Sequence, residues 1–255
     1  MNIAVLLLKC RNEPRVTTLT RDQVHQMTGH VAGYLAAQSG QRENLEFRVF
    51  DWFEMPLTSA EWNALAFGAG AKVVPMVEQA QRVDLSSYGH FVLLIDKQDA
   101  YLAAWNTPGA LKYNYMAAQS LNPALMEHEL GHMYGADHAN LDTPNGLKPI
   151  EEYGDRFCVM GAEGAKYSFA DARFGPDGPG MCASTLYACN WLRFDQPAVS
   201  IDLKQSTDAR ANEVAFELAA LRGAPPPGWA GLPVVAWARR ASGRPAPADR
   251  VPRSR

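Results

Sequence analysis

Three observations predict an α/β fold built on a twisted, mostly parallel sheet. Short apolar or alternating runs take turns with segments of helical spacing, the pattern of βαβ units. One run, Phe-Val-Leu-Leu-Ile within His90 to Asp96, is apolar without a break, as in a strand covered on both faces. The 255 residues are 47% hydrophobic and 20% charged, a globular composition able to bury a full core.

Asn2 to Lys9 carries the first apolar run, about six residues long. It is too short to span a membrane and lacks the basic start of a signal peptide, so it reads as a buried strand. Thr20-x-x-Gln23 is a capping box, and Val24, Met27, Val31, Tyr34 and Leu35 follow at helical spacing. Leu45 to Phe50 alternates as a second strand. Thr58-x-x-Glu61 is another capping box, opening a helical region to about Val83 that Gly68-Gly70 and Pro75 should interrupt. Ala100 to Trp105 reads equally as a strand or a loop, and Ala110 to Ala117 as a strand.

A helix from about Asn122 to Tyr134 follows. Asn122 is an N-cap, and Pro123 sits in the first turn, where its missing N–H costs nothing. Ala124, Leu125, Met126, Leu130 and Met133 supply helix formers and an apolar face.

This helix carries His128-Glu129-Leu130-Gly131-His132, continued by Met133-Tyr134-Gly135-Ala136-Asp137-His138. The string reads H-E-x-x-H-x-x-G-x-x-H and holds three of the six histidines. Residues i and i+4 lie on one helix face, so His128 and His132 project side by side. Zinc takes imidazole nitrogen readily, and a catalytic zinc keeps three protein ligands and one open position. Glu129 is turned off the ligand direction and can act on a zinc-activated water as general base. Gly135 can take the left-handed conformation that ends a helix, which lets the chain return His138 as third ligand. By residue frequencies the five fixed positions arise by chance in roughly one chain in 100,000, against about one in a hundred for the first three.

The string is similar to the signature of the metzincin zinc metallopeptidases. Tyr153-Gly154-Asp155 followed by Val159-Met160-Gly161, and His138-Ala139-Asn140 before it, resemble the gametolysin-like branch. The resemblance is specific over 127–161 and extends in layout to about Leu192. It implies an α/β fold of α+β character: a mostly parallel sheet, an antiparallel edge strand, the active-site helix, and a C-terminal subdomain with a Met-turn. Met160 would then be the Met-turn residue, packing its thioether under the imidazoles without ligating the metal. Zn2+ would be the cofactor, and a protein or peptide the substrate, docked in extended form on the edge strand. Two positions depart from the pattern. Cys158 stands where an aspartate or small polar residue is expected, and no tyrosine follows Met160 by two residues. Neither Tyr153 nor Tyr167 can be given an oxyanion role from sequence, and Asp137 reads as well as a solvated loop residue as a partner for an imidazole.

The reaction implied is hydrolysis of a peptide bond. Two alternatives stay open: a non-catalytic zinc-containing domain that binds proteins, and a zinc hydrolase acting on a non-peptide amide. Glu129 favours the enzyme, since a purely structural site has no use for a base. A net charge of −3 gives no reason to expect a nucleic-acid partner, and no membrane span is expected. Metzincins work mostly outside the cytoplasm, which favours secretion, although no signal peptide and no inhibitory pro-segment is visible.

Residues 1–195 are expected to form the catalytic domain. Gly175 to Gly180 is dense in turn residues, and Met181 to Leu192 reads as helical. Short strands at Val199 to Leu203, Val214 to Leu218 and Val234 to Trp237 would make a small β appendage over 196–238, followed by a Pro- and Arg-rich disordered tail over 239–255. The four cysteines, at 10, 158, 182 and 189, fit either reduced buried thiols or disulfides, with Cys182 and Cys189 close enough in sequence to clip a loop.

Overall fold

The computed structural model describes residues 1–65, 68–97, 103–105, 112–140, 152–155, 158–161 and 169–191. The chain divides into two compact units, Met1–Arg193 and Phe194–Arg255. Every described residue lies in the first, so the β appendage and the tail expected over 196–255 lie outside the described residues.

The first unit is an α/β layer structure. Its strands are β1 (Asn2–Cys10), β2 (Glu46–Val49), β3 (Phe53–Met55), β4 (His90–Asp96), β5 (Ala103–Trp105) and β6 (Tyr113–Ala117). They form one sheet of order β2-β1-β4-β6-β5, with β3 pairing the far end of β1. All pairs are parallel except β5 with β6, which run antiparallel at the edge. The edge strand thus falls at Ala103–Trp105, and the last parallel strand at Tyr113–Ala117. Sequence patterning did not single out β3, because three residues are too few to show a period.

β1 and β4 are the axis of the core. Ile3 to Leu8 and the whole of His90–Asp96 are buried, in register Val5 with Val92 and Leu7 with Leu94. Alternate residues face opposite ways. Ala4, Leu6 and Leu8 join Phe91, Leu93 and Ile95 under α2 (Ser59–Leu65) and α3 (Ala69–Gln81), meeting Trp62, Val73 and Val77. Each large side chain so buried contributes roughly 1.5–3 kcal/mol.

α1 (Arg21–Gln38) opens with the expected capping box. Gln23 N donates to Thr20 Oγ1 at 3.2 Å and Thr20 N to Gln23 Oε1 at 2.9 Å. Val24, Met27, Val31 and Leu35 are buried, while Tyr34 is half-buried and donates its hydroxyl to Pro179 O at 2.6 Å. The second box, Thr58 with Glu61, caps α2. α3 begins after Gly68, its N-cap, and runs through Pro75 without the expected break. Pro75 is exposed, so the carbonyl whose bond it forfeits can be solvated.

A 3-10 turn (Ala118–Ser120) leads from β6 into α4 (Pro123–Met133). Leu125 N donates to Asn122 Oδ1 at 3.0 Å, so the cap and the proline act as their types require. α4 packs on α1 and near β5. Beyond it, β7 (Phe169–Asp171) and β8 (Gly175–Asp177) form a hairpin, then α5 (Ala183–Ala188). α5 is shorter than the Met181 to Leu192 expected. Cys182 is extended at its N-cap, and Asn190 turns left-handed at φ 58° just past Cys189. The hairpin is tied back to the core: His30 Nε2 meets Asp177 Oδ2 at 2.9 Å and Gly178 N donates to Glu127 at 3.2 Å. No helix among the described residues is long and apolar enough to cross a membrane.

Candidate metal centre

The structure brings His128, His132 and His138 together. Each offers a ring nitrogen, and these atoms lie within 4.8 Å of one another. Ring centroids stand 4.9 Å apart for His128 and His132, 4.9 Å for His132 and His138, and 5.4 Å for His128 and His138. The helix supplies the first two. Gly135 ends it at φ +85°, where a side chain would be strained, and Ala136 N returns to Gly131 O at 3.2 Å. Three residues later the chain has doubled back far enough to present His138.

Each imidazole is fixed through Nδ1. His128 Nδ1 donates to Val159 O at 2.8 Å, His132 Nδ1 to Ala136 O at 2.7 Å, and His138 Nδ1 to Glu152 Oε1 at 2.9 Å. A carbonyl oxygen only accepts, so in His128 and His132 the ring proton sits on Nδ1. Nε2 then carries the lone pair that a metal needs, and oxygen acceptors behind the rings are the usual outer shell of metal-binding histidines. Burial holds His128 down to about 4 and lowers His132 as well, so both rings are neutral at pH 7. Three converging imidazoles fit zinc by donor type and number.

Glu129 is 6% exposed, and its Oε2 has no hydrogen-bond partner among the described residues. Burial raises it to about 7. Its backbone is pinned from the sheet: Asn114 Nδ2 on β6 donates to Glu129 O at 2.7 Å, and Asn114 Oδ1 meets buried His90 Nε2 on β4.

Under the helix lies the turn 158–161. Met160 is fully buried, and a Cβ at Gly131 would collide with its Sδ. That contact accounts for a glycine inside α4, where alanine would otherwise be favoured by about 1 kcal/mol. Ala139 N donates to Met160 O at 3.0 Å and Asp155 N to Ala139 O at 3.1 Å, so the turn, the His138 loop and residue 155 are bonded together. A Cβ at Gly161 would strike the backbone oxygens of Asp155 and Ala139, which cannot swing aside. Gly161→Ala is therefore expected to cost about 1–3 kcal/mol, read as a lower urea midpoint, and to weaken metal retention by displacing Val159 O from His128.

Glu152, Tyr153, Asn114 and His90 were not legible as site residues. Glu152 is exposed and fourteen positions from His138, so only the tertiary structure reveals the pair. It takes the orienting role open to Asp137, which is itself exposed. Tyr153 lies with its ring 4.0 Å from that of His138, on a left-handed backbone at φ 60°. A left-handed tyrosine is rare enough to have been a flag, but backbone angles are not written in sequence. Tyr167 lies outside the described residues.

No family model and no curated protein matches the chain. A solved structure described as "Structure of a chaperone-substrate complex" aligns over 74% of this chain and 34% of that one, at 16% identity and a TM-score of 0.37. The chain spans about a third of that protein's length, and a likeness this slight carries no argument about function.

The buried pair Glu129 and His128 makes the metal-free fold respond to pH in opposite directions. His128 falls from 6.5 unfolded to about 4 folded, so the unfolded chain binds the extra proton and stability drops as pH falls through that window. Glu129 rises from 4.5 to about 7, so the folded chain holds the extra proton and stability drops as pH rises through its window. The two nearly cancel where the windows overlap. Glu129→Gln removes the second effect alone. Relative to wild type, the chelator-treated variant should gain roughly 3 kcal/mol between pH 4.5 and pH 8, at about 1.4 kcal/mol for each pH unit of the window. Urea unfolding at the two pH values measures this, and an unchanged gap would refute it.

Proposed function

We propose that this chain is a zinc-dependent metalloendopeptidase of metzincin type, close to the gametolysin-like branch. The observation that carries the reading is the convergence of three oriented imidazoles beside a buried carboxyl whose Oε2 has no hydrogen-bond partner among the described residues. His128, His132 and His138 would hold the ion. Zinc, when bound there, would supply Lewis acidity and make water acidic enough to act as a nucleophile near neutral pH.

The chain's own groups do the rest. Glu129, buried beside the three imidazoles, would accept a proton from the attacking water and return it to the leaving amine. Val159 O, Ala136 O and Glu152 keep the three rings from turning. Met160 fills the floor beneath α4 in the manner of a Met-turn residue. The antiparallel strand Ala103–Trp105, beside α4, is the edge on which an extended substrate would add as a further strand, with main-chain hydrogen bonds giving affinity.

The test is proteolysis of an unfolded protein such as casein by the full chain, before and after treatment with a chelator. Cleavage that disappears with the metal and returns with one equivalent of zinc supports the reading. Zinc bound stoichiometrically with no cleavage of casein or of a peptide library would sink it.

A further inference from the structure

Away from the histidines, Cys158 and Cys182 meet. Their sulfurs lie, with a carboxylate oxygen of Asp155, within 4.8 Å of one another. Cys182 N donates to Cys158 Sγ at 3.2 Å, and Thr185 Oγ1 touches both sulfurs, at 3.4 and 3.1 Å. Cys158 is buried and Cys182 is partly exposed. Cys189 cannot compete for Cys182. It lies seven residues on across α5, about 10 Å away at 1.5 Å per helical residue, beyond the reach of a disulfide.

We propose that Cys158 and Cys182 are a redox pair that closes to a disulfide, cross-linking the turn under the three histidines to α5. The two thiols divide the work by environment. The neighbouring Cys158 thiol lowers Cys182, helped by Ser184 and Thr185, so Cys182 is the more readily ionised and the more accessible of the two. Cys158 is pushed up, first by the neighbouring Cys182 sulfur and then by burial, and stays protonated. The oxidant is a small-molecule disulfide. Cys182 thiolate attacks one of its sulfurs, the small S–S bond breaks, and one thiolate leaves. Cys158 then loses its proton to water and attacks Cys182 Sγ, expelling the second thiolate. Two protein thiols are oxidised by two electrons, and the small disulfide is reduced to two thiols. The bond would anchor the segment whose Val159 O holds His128 and whose Met160 fits under Gly131. It depends on no assumption about zinc.

The experiment incubates the full chain with glutathione disulfide, alkylates it and maps the peptides by mass spectrometry. Expected are one cross-linked pair, Cys158 with Cys182, a fall in free thiols from four to two per chain, and a rise in urea midpoint that dithiothreitol reverses. Cys182→Ser, conservative at the N-cap of α5, should abolish the cross-link and the rise while the protein stays folded. Three results would overturn the proposal: a link from Cys182 to Cys10 or Cys189, a lasting glutathione adduct on Cys182 with no internal link, or a second zinc equivalent that Cys182→Ser removes.

Discussion

Glu129→Gln is expected to lower peptide-bond cleavage about 10²–10⁴-fold, the usual worth of a general base, with zinc content unchanged. Glutamine matches glutamate in size and cannot take a proton at neutral pH. The substitution leaves the supports of the site intact, because Asn114 holds the backbone oxygen of residue 129 and not its side chain. The three Nδ1 bonds go to Val159, Ala136 and Glu152, none of which touches the change. Metal retention and fold therefore separate from turnover. Cleavage within tenfold of wild type, at equal zinc, would remove Glu129 as the base. A loss of zinc in this variant would make it a structural residue instead.

The parts of this fold that could be read from sequence are those decided locally. Asn122 and Pro123 start α4 by chemistry confined to one turn, and Gly135 ends it by a backbone freedom only glycine has. His128 and His132 are neighbours by helix geometry alone. The unbroken apolar run of β4 announces burial on both faces. What stayed hidden depends on chain crossings. Glu152 meets His138 across fourteen positions of sequence, and Asn114 on β6 meets Glu129 on α4 across fifteen. Pro75 misled for the opposite reason: a strong local rule against proline in a helix yields when the ring faces solvent. Cys158 looked like a departure from a pattern, and its meaning depends on α5 bringing Cys182 alongside.

His138→Ala is expected to reduce zinc affinity by more than about 100-fold, beyond the 10- to 100-fold typical of losing an outer-shell partner, and to abolish turnover at ordinary zinc concentrations. The three histidines are not equivalent as tests. His128 is 5% exposed and satisfies the buried carbonyl of Val159. Truncating it leaves that oxygen without its donor, so lost metal and a weakened fold arrive together, the second costing about 1–3 kcal/mol from the orphaned group alone. His138 sits half-buried on the returning loop, and its Nδ1 partner Glu152 is exposed and can turn to water. Truncation there removes a ligand and leaves the core untouched. Zinc titration against a competing chelator and urea unfolding without metal, run on both variants, tell the effects apart. His138→Ala should match wild type in metal-free stability while failing to hold zinc, and His128→Ala should fall short in both. If His138→Ala binds zinc as tightly as wild type, the third ligand is elsewhere and the return of the chain at Gly135 serves packing alone.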